Sequence, residues 1–132
     1  MEQTLLVKIF TPSDIILECN ALSATMPGEK GVFGVLPNHS LLIANLQIGV
    51  MQILETKNNL QYFIYGGIAQ VRGNEVNIIT DFAIDIAKIQ KTEVMEKITI
   101  FKQEIERDAN KAEINLMSED LTKYESLLTF MN

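Results

Sequence analysis

Between residues 4 and 80 the apolar positions come in short runs, several of them alternating with polar ones, and each run is closed by turn-forming residues. Residues 4–10 stop at Thr11-Pro12-Ser13-Asp14, and residues 15–17 and 21–26 are followed by Pro27-Gly28. Residues 32–36 lead into Pro37-Asn38 and then residues 41–46. Residues 49–54 and 61–65 flank Lys57-Asn58-Asn59, and residues 68–71 and 75–80 flank Arg72-Gly73-Asn74. Both are hairpin signals, because Asn and Gly tolerate positive φ. Strands about ten residues apart predict a β-sandwich or barrel rather than βαβ units. Residues 4–10 and 76–79 carry apolar side chains on both faces of the strand, so packing on both sides is expected there. Gly66-Gly67 reads as a bend or a close approach of two backbones.

From Lys88 onward the period becomes helical. Val94, Ile98, Phe101 and Ile105 recur every three or four residues on one face, with Lys91, Glu96, Lys97, Lys102 and Glu106 largely off it. A second stripe runs Ile114, Met117, Leu121, Tyr124, Leu128. Asn110 followed three residues later by Glu113 has the spacing of a capping box, so two helices meeting near Asn110 are expected to fold as a hairpin with facing stripes. No Gly or Pro enforces the break, which leaves one continuous helix open as a second state. The fold expected is a β-sandwich of two antiparallel sheets over residues 1–84, followed by a C-terminal α-helical hairpin over residues 85–132.

Composition narrows the function. The 132 residues are 47% hydrophobic and 21% charged, too apolar for disorder and long enough for one domain with an appendage. Lys8, Asp14, Glu29 and Lys57 interrupt every candidate for a bilayer-spanning run. The start, Met1-Glu2-Gln3-Thr4, has neither a basic region nor a small-residue cleavage site, nor the character of a transit peptide. The lone Cys19 has no internal disulfide partner, which fits a reducing compartment, and reads as a small core hydrophobe. The net charge of −6 excludes a basic field for nucleic acid or anionic lipid. It is spread evenly, with 4 basic and 7 acidic residues up to Ile84 and 7 and 10 after it, so each part is −3.

Catalytic motifs are missing. No phosphate-binding glycine loop and no nucleophile elbow occur; Gly28, Gly31 and Gly34 lie between strands with no helix to follow. One His and one Cys do not make a zinc site, and Asp14, Glu18 and Glu29 lack metal-ligand spacing. His39, the only neutral-pH base, has no accompanying nucleophile and orienting acid and reads as a structural or interface group. The residues alone describe an interaction module with no active site and no cofactor. Phe33, Leu36 and Pro37 form an apolar, irregular turn expected to be exposed for docking.

Several segments, in order and spacing, resemble a known family. They are Leu6-Val7-Lys8-Ile9-Phe10-Thr11-Pro12, then Pro27-Gly28-Glu29-Lys30-Gly31-Val32-Phe33-Gly34-Val35-Leu36-Pro37-Asn38-His39-Ser40-Leu41-Leu42, Gly49-Val50-Met51-Gln52-Ile53, Gly66-Gly67-Ile68-Ala69-Gln70-Val71 and Asn74-Glu75-Val76-Asn77-Ile78-Ile79-Thr80-Asp81-Phe82-Ala83. Together they resemble the epsilon subunit of F-type ATP synthase, the equivalent of the mitochondrial delta subunit. The resemblance implies a non-catalytic rotor part at the cytoplasmic face of a bacterial membrane. It implies a sandwich that binds the gamma subunit and rests on the c-ring, coupling proton flow to ATP synthesis. By the same resemblance Glu29, Lys30, Gly31, Val32 and Phe33 form the c-ring-facing loop, with Val32 where many relatives carry an acid. Leu36, Pro37, Asn38 and His39 form the gamma-docking turn.

In many relatives the hairpin extends among the catalytic beta subunits and inhibits hydrolysis, aided by a basic second helix; a mainly inhibitory role is the alternative reading. Here the second helix carries Lys111 and Lys123 against Glu113, Glu119, Asp120 and Glu125, which opposes such insertion. Some relatives bind ATP through an acid and an Arg three residues on. Ala87 and Gln90 stand at those positions, so no ATP site is expected.

Overall fold

The computed structural model describes residues 3–107 and 111–131 and divides into two compact units, Met1–Ala87 and Lys88–Asn132. The first holds eight strands: β1 Leu5–Phe10, β2 Ile15–Ala21, β3 Ser23–Gly28, β4 Gly31–Val35, β5 His39–Leu54, β6 Asn59–Gly73, β7 Glu75–Ile79 and β8 Ala83–Asp85. They hydrogen-bond in the order β2-β1-β7-β6-β5-β3-β4, with β8 on β6. β2 and β3 stand near opposite ends of that order, yet the single residue Leu22 joins them, and its N–H donates to the Leu54 carbonyl at 2.7 Å. One residue spans only about 3.5 Å. The sheet therefore folds back on itself, which makes the expected sandwich, with one continuous ladder passing through both layers.

Two details differ from the sequence reading. β1 and β7 pair in parallel, Leu6↔Glu75 to Phe10↔Ile79, among otherwise antiparallel neighbours. The expected strands at 41–46 and 49–54 are one strand, as are those at 61–65 and 68–71.

The long β5–β6 hairpin explains the apparent breaks. In its first half Leu42 and Ala44 are half-buried and Leu46 is buried; past Gln47-Ile48 the buried set becomes Gly49, Met51 and Ile53. Across the ladder the set changes from Tyr62 and Ile64 to Ala69 and Val71. The parity that faces the core flips at Gly66 (φ 72°) and Gly67 (φ 128°), where the hairpin bends from one layer into the other. A Cβ on Gly67 would land on the carbonyl oxygen of Ile79 and within 3.2 Å of Thr80 Cα, so this crossing requires a residue with no side chain.

One cluster fills the sandwich: Leu5, Val7 and Ile9 from β1 with Ala24, Met26, Val35, Met51, Ile53, Ile64, Val71, Val76 and Ile78. Each such side chain, taken from water, contributes about 1.5–3 kcal/mol. The expectation of packing on both faces fails for β7, where Val76 and Ile78 point inward but Ile79 is exposed. It fails partly for β1, whose alternate residues are half-buried. Pro27 lies inside β3 opposite Val32 rather than ending it, at a place where the β3–β5 ladder is already irregular.

In the second unit a 3-10 turn at Ile86–Lys88 precedes α1, Lys91–Arg107, and α2, Lys111–Thr129. Gln90 caps α1: its carbonyl accepts the Val94 N–H at 3.2 Å, and its own N–H donates to Glu93 Oε1 at 3.4 Å. Phe101 meets Tyr124 with ring centroids 5.7 Å apart, and the Lys97 ammonium lies 5.5 Å from the Tyr124 centroid. The helices thus fold back as a hairpin with facing stripes, and the continuous helix is not the state present. Val94 and Ile98 are buried as expected, but on α2 the deepest residue is Leu127 rather than Leu128. The expected cap at Asn110 lies outside the described residues.

Candidate functional site

The β3–β4 hairpin turns through only Glu29 and Lys30, because Gly28 pairs with Gly31. A Cβ on Gly28 would sit 2.7 Å from the Gly31 carbonyl oxygen and 2.9 Å from the Phe33 ring, which covers it. The tip is pinned to β5: Gln47 Nε2 donates to the carbonyls of Gly28 (3.1 Å) and Glu29 (3.2 Å), and the Glu29 N–H donates to the Asn45 carbonyl at 3.0 Å. Glu29, Lys30, Gly31 and Val32 are exposed, Val32 to 74%. Phe33 is not. It is half-buried against the core cluster, because alternation along β4 turns it inward beside Val35. The expectation of an exposed, docking Phe33 is therefore corrected.

At the other end of β4 the chain turns through Leu36, Pro37 and Asn38 into His39. Asn38 takes φ 65°, which Asn tolerates better than most residues. Its N–H donates to Asn74 Oδ1 and its Nδ2 donates to Gln3 Oε1, both at 2.7 Å. His39 Nδ1 donates to the Ser40 carbonyl at 2.7 Å, since a carbonyl only accepts. Leu36 is 65% exposed, while Pro37 is half-buried. The turn is held by side chains from β1's approach and from the β6–β7 turn, which sequence proximity does not show.

A cleft of about 520 Å³ opens between β4 and the first half of β5. Glu29 through Phe33 line it together with His39, so the structure brings the expected c-ring loop and one residue of the expected gamma turn to a single depression. Leu36, Pro37 and Asn38 are outside its lining. The sequence reading missed the β5 residues of the wall, Leu42 to Asn45, and with them an exposed apolar edge: Leu41 is 69% and Ile43 67% exposed. The run Leu41-Leu42-Ile43 was the available signal. Consecutive apolar residues in a strand place one on each face, and only Leu42 has a core to enter. On the same outer face Ile79 stands opposite both Phe10 and Ile68, next to the polar row where Lys8 meets Glu18 at 3.6 Å.

The electrostatics do not build a reactive centre. Burial, followed by Glu55, pushes the Cys19 thiol up, which keeps it protonated and a poor nucleophile. Burial, then Asp85, Cys19 and Glu55, raise the Tyr62 phenol. Asp85 caps the 3-10 turn, its Oδ1 accepting the Ala87 N–H at 2.9 Å. Ala87 and Gln90 are exposed and offer neither an acid nor a cation. What this arrangement can do is bind, through a rigid polar tip, a cleft and exposed aliphatic side chains.

The beta-sandwich domain of the ATP synthase delta/epsilon chain, as a family, matches residues 4–86. A chain named ATP synthase epsilon chain from Rickettsia typhi is 41% identical over 97 residues, covering 71% of this chain and 88% of that one. Its namesake from Rickettsia felis is 42% identical over 101 residues, covering 74% and 90%, and that from Rickettsia bellii 36% over 108 residues, covering 80% and 100%. Among solved structures, a chain of the Euglena gracilis mitochondrial ATP synthase OSCP/F1/c-ring assembly superposes with TM-score 0.65 at 20% identity, covering 96% of this chain and 80% of that chain. One from the Tetrahymena thermophila mitochondrial ATP synthase central stalk and c-ring gives 0.54 at 19%, covering 66% and 70%. These two likenesses concern the fold.

Proposed function

The chain belongs to the ATP synthase delta/epsilon family, and from that premise we propose that it is a non-catalytic rotor subunit of the central stalk, coupling proton passage through the c-ring to ATP synthesis by way of gamma. The observation that carries this reading is the set of aliphatic side chains left in water on β4, β5 and the turn between them: Val32 and Ile43 in the lining of the cleft, with Leu36 and Leu41 outside it, each 65% exposed or more. Exposed apolar side chains gathered in one place mark a docking surface. The pinned tip Glu29, Lys30, Gly31 and Val32 meets the c-ring, and the Leu36-Pro37-Asn38-His39 turn meets gamma. The subunit works peripherally, at the cytoplasmic face of a bacterial membrane. No helix among the described residues is long and apolar enough to cross one.

The test is co-purification of the tagged full chain with gamma and the c-ring. Wild type retains both; Leu36→Asp weakens gamma retention at least tenfold while its melting curve stays that of wild type. Phe33→Asp, by contrast, lowers stability because a carboxylate replaces a ring packed on the core. A wild-type chain that binds no gamma overturns the reading.

A further inference from the structure

The tip of the β3–β4 hairpin hangs at a place where the main-chain ladder to β5 fails. Gly28 and Gly31 close the two-residue turn as a hydrogen-bonded pair, so one residue earlier the backbone of Pro27 faces away from β4, toward β5. Proline has no N–H to give there. The ladder is broken accordingly: Thr25 pairs with Gln52 and Gly28 with Leu46, so three steps along β3 face six along β5. The surplus length of β5 is a bend that wraps Pro27, with Gly49 so near that a Cβ on it would lie 3.1 Å from the proline's own. Beyond Gly28 the backbone gives β5 the Glu29 N–H, which donates to the Asn45 carbonyl at 3.0 Å.

Gln47 lies in that bend, and its side chain supplies what the ladder lacks. Nε2 donates to the Gly28 and Glu29 carbonyls at 3.1 and 3.2 Å, both within the ordinary range. Only the nitrogen of an amide can face two carbonyls, because its oxygen is an acceptor like them. The clamp stiffens one end of β4 alone. The other end is held separately, through Asn38, by Asn74 and Gln3. With its two carbonyls engaged, the tip presents the exposed side chains of Glu29, Lys30 and Val32. Among the described residues neither of those two charges has an ion-pair partner.

Resting on the reading above of this tip as the part that meets the c-ring, we propose that Gln47 is its positioning residue, a side-chain clamp that sets the tip in place before the ring is met. A loop ordered in advance loses less freedom on docking, so the clamp raises affinity while acting only through the tip. What the position requires is donors at the end of a side chain. Lysine has three and no acceptor, so it can serve both carbonyls; glutamate, acceptor only, would set a carboxylate against them. Loss of two neutral hydrogen bonds at an exposed site corresponds to about tenfold in affinity.

The test compares the full wild-type chain with Gln47→Ala, Gln47→Glu and Gln47→Lys. It follows amide hydrogen exchange at Glu29, melting, and binding to gamma alone and to a complex of gamma with the c-ring. The Glu29 amide, whose bond to Asn45 lasts only while the tip stays in place, exchanges at least tenfold faster in Gln47→Ala and faster still in Gln47→Glu. Affinity for the complex falls about tenfold in Gln47→Ala and further in Gln47→Glu, but stays within about twofold of wild type in Gln47→Lys. Affinity for gamma alone is unchanged in all three. A merely structural role would lower the melting point and both affinities together, without rescue by Lys, and that result overturns the proposal. So does a Glu29 amide that loosens while binding of the complex holds, or one that no substitution moves. A wild-type chain that binds the complex no better than gamma alone overturns the c-ring reading of the tip, and the positioning role with it.

Discussion

Replacing each of the adjacent glycines Gly66 and Gly67 with Ala separates conformational strain from steric exclusion at the hairpin bend. At Gly66 (φ 72°) an added Cβ meets nothing nearer than the Leu46 carbonyl oxygen at 3.4 Å, so the cost is that of a left-handed residue, about 1–2 kcal/mol. At Gly67 (φ 128°) the backbone conformation itself costs about 1–3 kcal/mol. The Cβ also collides with the Ile79 carbonyl, which is backbone and cannot rotate aside. Forcing atoms into a packed site costs about 1–3 kcal/mol more. The smaller conformational entropy of an unfolded Ala returns about 0.4–1 kcal/mol in both variants. Gly66→Ala should then cost about 1 kcal/mol and Gly67→Ala about 3–4, against the roughly 5–15 kcal/mol that holds a typical protein folded. At about 4–8 °C per kcal/mol for a domain of this size, the melting points should fall by roughly 5 and at least about 12 °C. Urea unfolding of the full chain, followed by circular dichroism in the strand region, measures both. Variants within about 0.5 kcal/mol of each other would show that the approach of β6 to Ile79 does not set the bend, and the account of the parity flip would fall with it.

Two further outcomes follow from the charges. The Tyr62 phenol is raised by burial first and Asp85 second, so the folded state holds its proton more tightly than the unfolded chain does. The stability this gives is fully present below the ordinary tyrosine value of 10.0 and is lost as pH climbs through the raised one. Urea midpoints between pH 9 and 11 should fall less steeply for Tyr62→Phe than for wild type; parallel curves would refute it. The second concerns the hairpin. α2 and its flank carry four acids against two lysines, so insertion toward acidic catalytic subunits is opposed by like charge. Truncation after Asp108 should change ATP hydrolysis by the catalytic complex less than twofold, and a tenfold rise would show that the charge argument fails.

Much of this molecule is local chemistry that the residues decide by themselves. Turn formers at Thr11-Pro12-Ser13-Asp14 and Arg72-Gly73-Asn74 mark strand ends, and the 3.6-residue stripe of Val94, Ile98, Phe101 and Ile105 makes a helix with one apolar face. The sandwich followed by a hairpin was legible for that reason. Other features depend on which distant segment arrives alongside. Gly66-Gly67 reads equally well as the end of one strand or the bend of another; the approach of Ile79 decides that it is a bend. β1 pairs in parallel with β7 because the folded-back sheet brings them together, and no period within residues 4–10 encodes the direction of a partner some seventy residues away. At the candidate site, Phe33 and Leu36 are both apolar neighbours of a turn. β4 directs Phe33 into the core and leaves Leu36 in water, and the pairing of Gly28 with Gly31 sets that register. The clamped tip needs even more of the tertiary fold. Gln47 reaches the Gly28 and Glu29 carbonyls only because β5 bends around Pro27, and a side-chain amide carries no mark in the sequence of the partner it will meet.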